Sequence, residues 1–156
     1  VLSPGEADCI AIAGMGASTI ISILEDDMEV AQSAELLVLQ PMAGAASLRA
    51  WLCSHGWQLA AEELVDDAPH FYEIIAAKRG SAPAYSAAEC AVGPLLLVHK
   101  HPLLGKQLER QLATCRQLLE NMGRSERARA SEKYKEIEVL KAELEVLQNG
   151  KRSDSK

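Results

Sequence analysis

A short apolar run that ends in two glycines restricts the fold of this chain more than any other feature. Residues 9–13 are apolar and lead into Gly14-Met15-Gly16, after which apolar residues recur at helical spacing as far as Leu24. A short apolar run bounded by glycines is typical of a buried strand of a parallel sheet that turns directly into a helix. The first segment therefore predicts the opening of an α/β sheet.

Three further strand signals follow in the first half of the chain. Residues 36–39 form a second apolar run, and the spacing of apolar residues at 48–52 predicts a short helix after it. Residues 58–65 and 71–77 are strand candidates, and the turn signal at 66–69 separates them. The order β-α-β-α-β-β predicts an open α/β sheet that is closed by an antiparallel hairpin.

The carboxyl ends of the first two strands are the candidate ligand site, because ligands of open α/β sheets bind there. These ends are Ala13-Gly14-Met15-Gly16 and Gln40-Pro41-Met42. Position 19 is Thr, so the third glycine of a dinucleotide fingerprint is missing. Two interpretations stay open on these residues: a tight strand–helix turn without a ligand, and a turn whose small residues and helix amides admit a flat or charged ligand.

The second half of the chain has the periodicity of helices. Residues 86–89 have the form of a capping box, so we expect a short helix to begin near Ala87, and we expect Pro102 in the first turn of a longer helix. Two heptad-spaced segments follow, separated by a turn at 123–125 in which Ser125 is a candidate N-cap. They predict an antiparallel coiled-coil hairpin. The apolar seam comprises Leu108, Leu112, Cys115, Leu119, Met122, Tyr134, Ile137, Leu140, Leu144 and Leu147.

Charge divides the chain at nearly the same place. Residues 1–79 hold three basic and twelve acidic residues, whereas residues 80–156 hold thirteen basic and ten acidic residues. We therefore expect a sheet domain at 1–79, a hairpin domain at 80–148 and a flexible polar tail at 149–156. The positive excess near the hairpin tip is either a solvated face with i,i+4 partners or a contact surface for phosphates. It is carried by Arg110, Arg116, Arg124, Arg127, Arg129, Lys133 and Lys135.

Cysteine spacing and hydropathy exclude several classes of protein. Cys9, Cys53, Cys90 and Cys115 lie far apart and form no C-x-x-C pair, which argues against a structural zinc site and a disulfide scaffold. Reduced thiols are typical of the cytosol, so we expect a cytoplasmic protein without a metal. No apolar run approaches the roughly 20 residues of a transmembrane helix, so we expect no membrane partner.

Five short segments match the motifs of one known family in order. They are D-C-I-A-I-A-G-M-G at 8–16, L-V-L-Q-P at 37–41, L-R-A-W-L at 48–52, F-Y-E-I-I at 71–75 and G-P-L-L-L at 93–97. On these segments the chain resembles the bacterial tRNA adenine-22 N1-methyltransferases. The corresponding motifs of that family are D-x-I-x-I-A-G-M-G-G, L-I-L-Q-P, L-R-x-W-L, Y-E-I and G-P-x-L.

The resemblance implies both an architecture and an activity. The architecture is the C-terminal half of a Rossmann-like methyltransferase sheet followed by the helical hairpin. The activity is methyl transfer from S-adenosylmethionine to N1 of adenine 22 in the D-arm of tRNA. With tRNA as substrate, the charge of the hairpin predicts that its basic residues contact tRNA phosphates. The residues implied to line the cofactor are Ala13, Gly14, Met15 and Gly16, and those implied to lie in the target-base pocket are Gln40 and Pro41.

The chain also departs from the family pattern. Ala17 stands where the family has a second glycine, and Met42 stands where Asn commonly follows Gln-Pro. The family's D-x-G-x-D-H-type glycine loop has no match, so we expect a fragment that lacks the first cofactor-binding motif and is inactive by itself. No catalytic side chain is assigned, because this methyl transfer depends mainly on positioning. Glu73 lies in an apolar strand, where we expect a strand-edge carboxylate in water.

Two other functions are compatible with the residues alone. Another nucleotide-binding α/β enzyme would use the same glycine turn, although the third glycine would then be expected. A non-catalytic interaction module would need only the coiled-coil hairpin.

Overall fold

The computed structural model describes residues 3–154, which divide into two compact units at His99 and Lys100. We call them the sheet unit (residues 1–99) and the helical unit (residues 100–156). The sheet unit contains β1 (Cys9–Met15), α1 (Ala17–Asp26), α2 (Met28–Ser33), β2 (Leu36–Pro41), α3 (Ala45–Ser54), β3 (Trp57–Asp67), β4 (His70–Arg79), α4 (Ala87–Val92) and α5 (Pro94–Val98). The helical unit contains α6 (Leu104–Met122), α7 (Glu126–Arg129) and α8 (Glu132–Asp154).

The sheet has the order β1-β2-β4-β3. β1 and β2 are parallel, and β4 is antiparallel to both of its neighbours, β2 and β3. Leu36 pairs with Lys78 and Leu39 pairs with Ile75, so β4 begins near the carboxyl end of β2. The prediction of an α/β sheet closed by an antiparallel hairpin is confirmed. The prediction that the first strand is buried is wrong: no residue of β1 is buried, because β1 lies at the edge of the described sheet and pairs only with β2.

The core of the sheet unit lies between β2 and the helices α1 and α3. Leu37 and Leu39 alternate with less buried residues along β2, and both are fully buried. They pack with Ile20 of α1 and with Leu48 and Leu52 of α3 in one apolar cluster. Burial of each such side chain stabilises the fold by about 1.5–3 kcal/mol. This packing fixes the two helices that follow the carboxyl ends of β1 and β2.

The boundary between the two units falls later than the expected 79/80, because two short helices pack on the sheet unit. α4 packs on α3, and α5 packs on β3. The predicted capping box begins α4: Glu89 N–H donates to Ser86 Oγ at 3.1 Å, and Ser86 N–H donates to Glu89 Oε2 at 2.7 Å. The sequence pattern had placed these helices in the hairpin domain, since their partners are distant in sequence.

The helical unit is an antiparallel pair of helices, α6 and α8. The buried residues of α6 include Leu108, Leu112 and Cys115, and those of α8 include Ile137 and Leu144. The remaining residues of the predicted seam are half-buried: Leu119, Met122, Tyr134, Leu140 and Leu147. The apolar spacing therefore identified the faces that meet.

Three details of the helical unit differ from expectation. α6 begins at Leu104, so Pro102 precedes the helix and does not lie in its first turn. The connection at 123–131 contains the extra helix α7, whose N-cap is Ser125, because the Ser125 hydroxyl accepts from Ala128 N–H at 3.4 Å. α8 continues to Asp154, so residues 149–154 are helical, whereas a flexible tail was expected; residues 155–156 lie outside the described residues.

Candidate functional site

The turn between β1 and α1 is built around Gly14. This residue has a φ of 76°, and the pairing of β1 with β2 shifts register between Ala13 and Met15. A left-handed φ favours glycine, because a side chain is strained there. A Cβ on Gly14 would meet no atom within 4 Å, so the space beside this turn is open. Gly14 thus bends the strand end and leaves its backbone accessible.

Hydrogen bonds join the β1–α1 turn to the loop after β2. Gly14 N–H donates to Gln40 Oε1 at 3.0 Å, and Met42 N–H donates to Met15 O at 2.8 Å. Ala17 N–H donates to Ala43 O at 2.9 Å. The structure therefore brings together the two segments, 13–16 and 40–42, that the sequence proposed for one site.

Two small residues allow this close approach of the loops. Gly44 has a φ of 79°, and a Cβ at this position would lie 3.0 Å from the Cβ of Ala17. Ala17 is itself buried, so a larger residue at either position would separate the strand ends. The departure from the family pattern at Ala17 thus lies at a packing contact.

The surface at these strand ends is apolar and carries few polar groups. Met15 and Met42 are exposed, Pro41 is buried and Gln40 is half-buried. Gln40 Nε2 lies 3.6 Å from the sulfur of Met42, which orients the amide. No side chain caps α1 after Gly16, and Ala17 N–H already donates to Ala43 O, so the first-turn amides available to a ligand are those of Ser18 and Thr19. Such a surface can hold a flat ring or an aliphatic chain, with donors at defined points.

A buried ion cluster was missed by the sequence analysis. Arg49 of α3 is fully buried and donates from Nε to Glu62 Oε1 at 2.5 Å and from Nη2 to Glu73 Oε2 at 2.9 Å. Its Nη1 donates to the carbonyl of Cys90 at 2.9 Å. The second oxygen of Glu62 accepts from Leu95 N–H at 2.8 Å. We call these residues the Arg49 cluster; it fastens α4 and α5 to the sheet.

The Arg49 cluster corrects the expectation for Glu73. This carboxylate is not solvated at a strand edge: its side chain is only 13% exposed and pairs with Arg49. Gly93 belongs to the same region, because a Cβ there would lie 2.5 Å from Leu96 Cδ1 and 3.1 Å from Arg49 Nη2. Three of the segments that carry the family resemblance, at 48–52, 71–75 and 93–97, therefore meet in a structural cluster.

Two cysteines of the sheet unit, Cys53 and Cys90, are protonated thiols at neutral pH. Cys53 and Cys90 line a groove of about 360 Å³ together with Tyr85. Burial raises the pKa of both thiols from the ordinary 9.0, and the charge of Glu62 raises the pKa of Cys53 further. A thiol with a raised pKa is a poor nucleophile at neutral pH. Among residues 3–154 no group of three His, Cys, Asp or Glu side chains is placed to hold a metal.

The basic residues proposed to bind tRNA are exposed on the helical unit. Arg129 Nε donates to the carbonyl of Gly123 at 2.5 Å, and Arg127 forms no ion pair or hydrogen bond with any described residue. Four of the others pair with carboxylates: Arg116 with Glu145 at 3.9 Å, Arg124 with Glu120 at 3.8 Å, Lys133 with Glu136 at 3.6 Å and Lys135 with Glu132 at 3.6 Å.

A search of the described helices for a membrane-spanning segment found none with the required length and hydropathy.

Comparisons with known proteins agree on one family. The family described as TrmK, tRNA (adenine(22)-N(1))-methyltransferase, matches residues 1–148. The tRNA (adenine(22)-N(1))-methyltransferase of Bacillus subtilis (strain 168) is 30% identical over 152 residues, which cover 94% of this chain and 63% of that protein. This chain thus spans about three fifths of the length of that relative.

Solved structures give the same result. The B. subtilis M1A22 tRNA methyltransferase TrmK superposes with a TM-score of 0.79 at 27% identity, over 95% of this chain and 66% of that one. A putative tRNA (m1A22) methyltransferase of Streptococcus pneumoniae, Sp1610, in complex with S-adenosyl-L-methionine superposes with a TM-score of 0.72 at 27% identity. That match covers 90% of this chain and 60% of the other.

Proposed function

Because the chain belongs to the tRNA (adenine(22)-N(1))-methyltransferase family, we propose that the protein carrying it methylates N1 of adenine 22, in the D-arm of tRNA, with S-adenosylmethionine as donor. The observation that carries the proposal is the junction of the two strand ends, where Gly14 N–H donates to Gln40 Oε1. The solved relative from Streptococcus pneumoniae holds S-adenosyl-L-methionine.

The cofactor is proposed to lie against Ala13, Gly14, Met15 and Gly16. These residues fit such a ligand, because the space beside Gly14 is open and no side chain caps the first turn of α1 by a hydrogen bond. When bound, the cofactor supplies a methyl group already activated on a sulfonium. The chain's own contribution is to hold the donor at a fixed distance from the base and to exclude water with Met15 and Met42.

Gln40 and Pro41 are proposed to form the target-base pocket. Gly14 N–H occupies Gln40 Oε1 and one N–H of Nε2 faces the Met42 sulfur, so the second N–H of Nε2 is left as the donor toward a base. Adenine offers ring-nitrogen acceptors to such a donor. N1 lies on the Watson–Crick edge, so the base must be unpaired or flipped before it enters. N1 attacks with its own lone pair, and no general base is required.

The helical unit is proposed to be a coiled-coil domain that contacts tRNA phosphates through Arg110, Arg116, Arg124, Arg127, Arg129, Lys133 and Lys135. The sheet unit has thirteen acidic and three basic residues, which repels a polyanion. The exposed ion pairs of the helical unit are weak, so their cations can exchange a carboxylate for a phosphate. Phosphate contacts of this kind make affinity fall steeply with salt.

The activity is tested by mass spectrometry of tRNA from a strain that lacks the gene. We expect N1-methyladenosine at position 22 to disappear and to return when the gene is restored. An unchanged level in the deletion strain contradicts the proposed function.

The site is tested with purified full-length protein. Gln40→Leu removes the oriented amide, and we expect kcat/KM to fall about 100-fold, the scale of effect of a misplaced substrate. Gln32→Leu is the matched control, because it makes the same change at an exposed position of α2, and its rate stays within about threefold. Equal rates for wild type and Gln40→Leu contradict the placement of the base beside Gln40.

The RNA surface is tested with a triple variant, Arg124→Ala, Arg127→Ala and Arg129→Ala. We expect weaker tRNA binding and a log–log salt slope reduced by roughly one for each lost phosphate contact. The control carries Lys at the same three positions, which preserves the charge and most of the affinity. An unchanged slope in the triple-Ala variant shows that these residues are only a solvated face.

A further inference from the structure

Positive charge on the surface of the sheet unit is confined to one corner. The unit has three basic residues, and Arg49 is buried in its ion cluster. The other two, Lys78 and Arg79, are adjacent and exposed at the end of β4. Within the described part of the chain neither lies within 4.0 Å of a carboxylate, although the unit holds thirteen acidic residues. Two unpaired cations on a strongly acidic unit require an explanation.

Arg79 is held in place although it is exposed. Its guanidinium carbon lies 4.9 Å from the centroid of the Trp57 ring, in a cation–π contact. Its Nη1 donates to the carbonyl of His55 at 3.4 Å. Trp57 is fully buried, so it is a rigid support for the guanidinium. An oriented guanidinium loses less side-chain entropy when it binds a ligand than a mobile one does.

A groove of about 550 Å³ opens beside this guanidinium. Among the described residues that line it, Arg79 alone is charged, and Gly56, Gly80 and Ser81 are also part of the lining. The hydroxyl of Ser81 is exposed and forms no hydrogen bond with the described residues. A Cβ on Gly56 would lie 3.5 Å from Arg79 Nη2, so the glycine keeps this side of the guanidinium open. The groove thus offers a planar cationic donor and a hydroxyl donor, with no acid among its lining residues.

We propose that this groove binds a phosphate group and that, in the tRNA complex, the group is a phosphate of the RNA backbone. The second part rests on the proposed function. An Arg fork matches the paired oxygens of a phosphate. Along β4, Ile75 pairs with Leu39, and Arg79 lies four residues further, beyond the amino end of β2. Arg79 is therefore at the opposite edge of the sheet from Gln40, roughly 16 Å along the strand at about 3.3 Å per residue. A duplex of about five base pairs has that length, so the proposal places the RNA along the strands from Gln40 to Arg79.

The test uses the whole chain, with two probes and three variants. Arg79→Gln removes the charge, Arg79→Lys restores it, and Lys141→Gln is the matched control that removes one charge from the helical unit. The probes are an unmodified tRNA transcript, titrated at several salt concentrations, and inorganic phosphate, followed by NMR at the Ser81 amide and the Arg79 Nε–H. Fluorescence of the two tryptophans, both in the sheet unit, checks that the variants are folded.

We expect Arg79→Gln to weaken tRNA binding three- to tenfold and to reduce the log–log salt slope by about one. Arg79→Lys and Lys141→Gln remain within about twofold of wild type. Inorganic phosphate shifts the Ser81 amide and the Arg79 Nε–H of the wild type, and it leaves the Ser81 amide of Arg79→Gln unshifted.

Three other results would overturn the phosphate site or its assignment to RNA. Wild-type tRNA affinity and slope in Arg79→Gln, together with no phosphate shift, overturn the site and leave the proposed function intact. If the wild-type chain binds no tRNA but phosphate shifts Ser81, the phosphate site stands and its RNA assignment fails. If Arg79→Gln does not fold, the wild-type phosphate titration decides, because unmoved Ser81 and Arg79 resonances overturn the proposal.

Discussion

The two units use the same charged side chains in opposite ways. In the sheet unit, Arg49 and Glu62 are both 0% exposed in their side chains and meet at 2.5 Å, and a second carboxylate and a carbonyl complete the arginine's hydrogen bonds. In the helical unit, the ion pairs measure 3.4–3.9 Å, and Arg124 remains 74% exposed. A buried charge needs hydrogen-bond and ion-pair partners within the protein, whereas an exposed charge can be hydrated by water when it has none.

The difference in burial distinguishes the charged residues that stabilise the fold from those that can bind a ligand. A buried charge that loses its partner is left without hydration, so the Arg49 cluster is committed to holding α3, the β3–β4 hairpin, α4 and α5 together. An exposed cation can exchange its partner at little cost. The arginines of the helical unit are therefore available for a ligand, and the arginine of the cluster is not.

Replacing the buried arginine should have the largest effect. Arg49→Met leaves Glu62 buried without its cation, and we expect it to destabilise the sheet unit by about 3–5 kcal/mol. Urea unfolding followed by tryptophan fluorescence measures this, because both tryptophans lie in that unit. The control Arg124→Met changes stability by less than about 0.5 kcal/mol. If Arg49→Met lowers the free energy of unfolding by less than about 1 kcal/mol, the buried and exposed ion pairs do not differ in their contribution to stability as argued above.

The helical unit depends on its apolar seam and not on its charges. Leu144 is fully buried in α8, and Leu144→Ala should cost about 2–5 kcal/mol of helical-unit stability. Circular dichroism during urea unfolding gives the value. Val146→Ala, at a residue 70% exposed on the same helix, is the control and stays within about 0.5 kcal/mol. Equal effects of the two substitutions contradict the packing of α6 on α8.

Alkaline pH should weaken the sheet unit by a smaller amount. Burial raises the pKa of Cys53 and Cys90 above 9.0, so the unfolded chain releases these protons at lower pH than the folded chain does. Stability is therefore retained below about pH 9 and falls as the pH rises above it. Urea midpoints between about pH 8 and 10.5 test this. The double variant Cys53→Ser, Cys90→Ser should flatten the decline, and Cys9→Ser should not; equal slopes in all three proteins contradict the assignment.

The smallest effect is expected at an exposed ion pair. Glu120→Gln removes the partner of Arg124 and should change helical-unit stability by about 0.3–0.5 kcal/mol at low salt and by less at high salt. Thermal unfolding at two salt concentrations gives both values. A loss above about 1 kcal/mol that persists in salt would mean that exposed pairs contribute to the fold as buried ones do.

Features that depend on neighbouring residues were predictable from local spacing. The strand and glycine turn at 9–16, the capping box at 86–89 and the seam of α6 and α8 agree with the structure, whereas the burial predicted for the first strand does not. The collinear motifs identified the family. Each of these signals requires only residues within one or two turns of helix, or within one strand.

Which charged residues stabilise the fold depends on contacts between segments that lie far apart in the sequence. Arg49 lies with Ala45, Leu48 and Leu52 on the buried face of α3, so its place on an apolar face was the signal in the sequence. Its partners, however, lie 13, 24 and 41 residues away at Glu62, Glu73 and Cys90. The unit boundary at His99 also depends on contacts between segments that are distant in sequence, because α4 packs on α3 and α5 packs on β3. Spacing along a chain determines which face of an element is apolar. A buried charge is stable only where its hydrogen-bond and ion-pair partners lie beside it, and the position of those partners depends on the packing of distant segments.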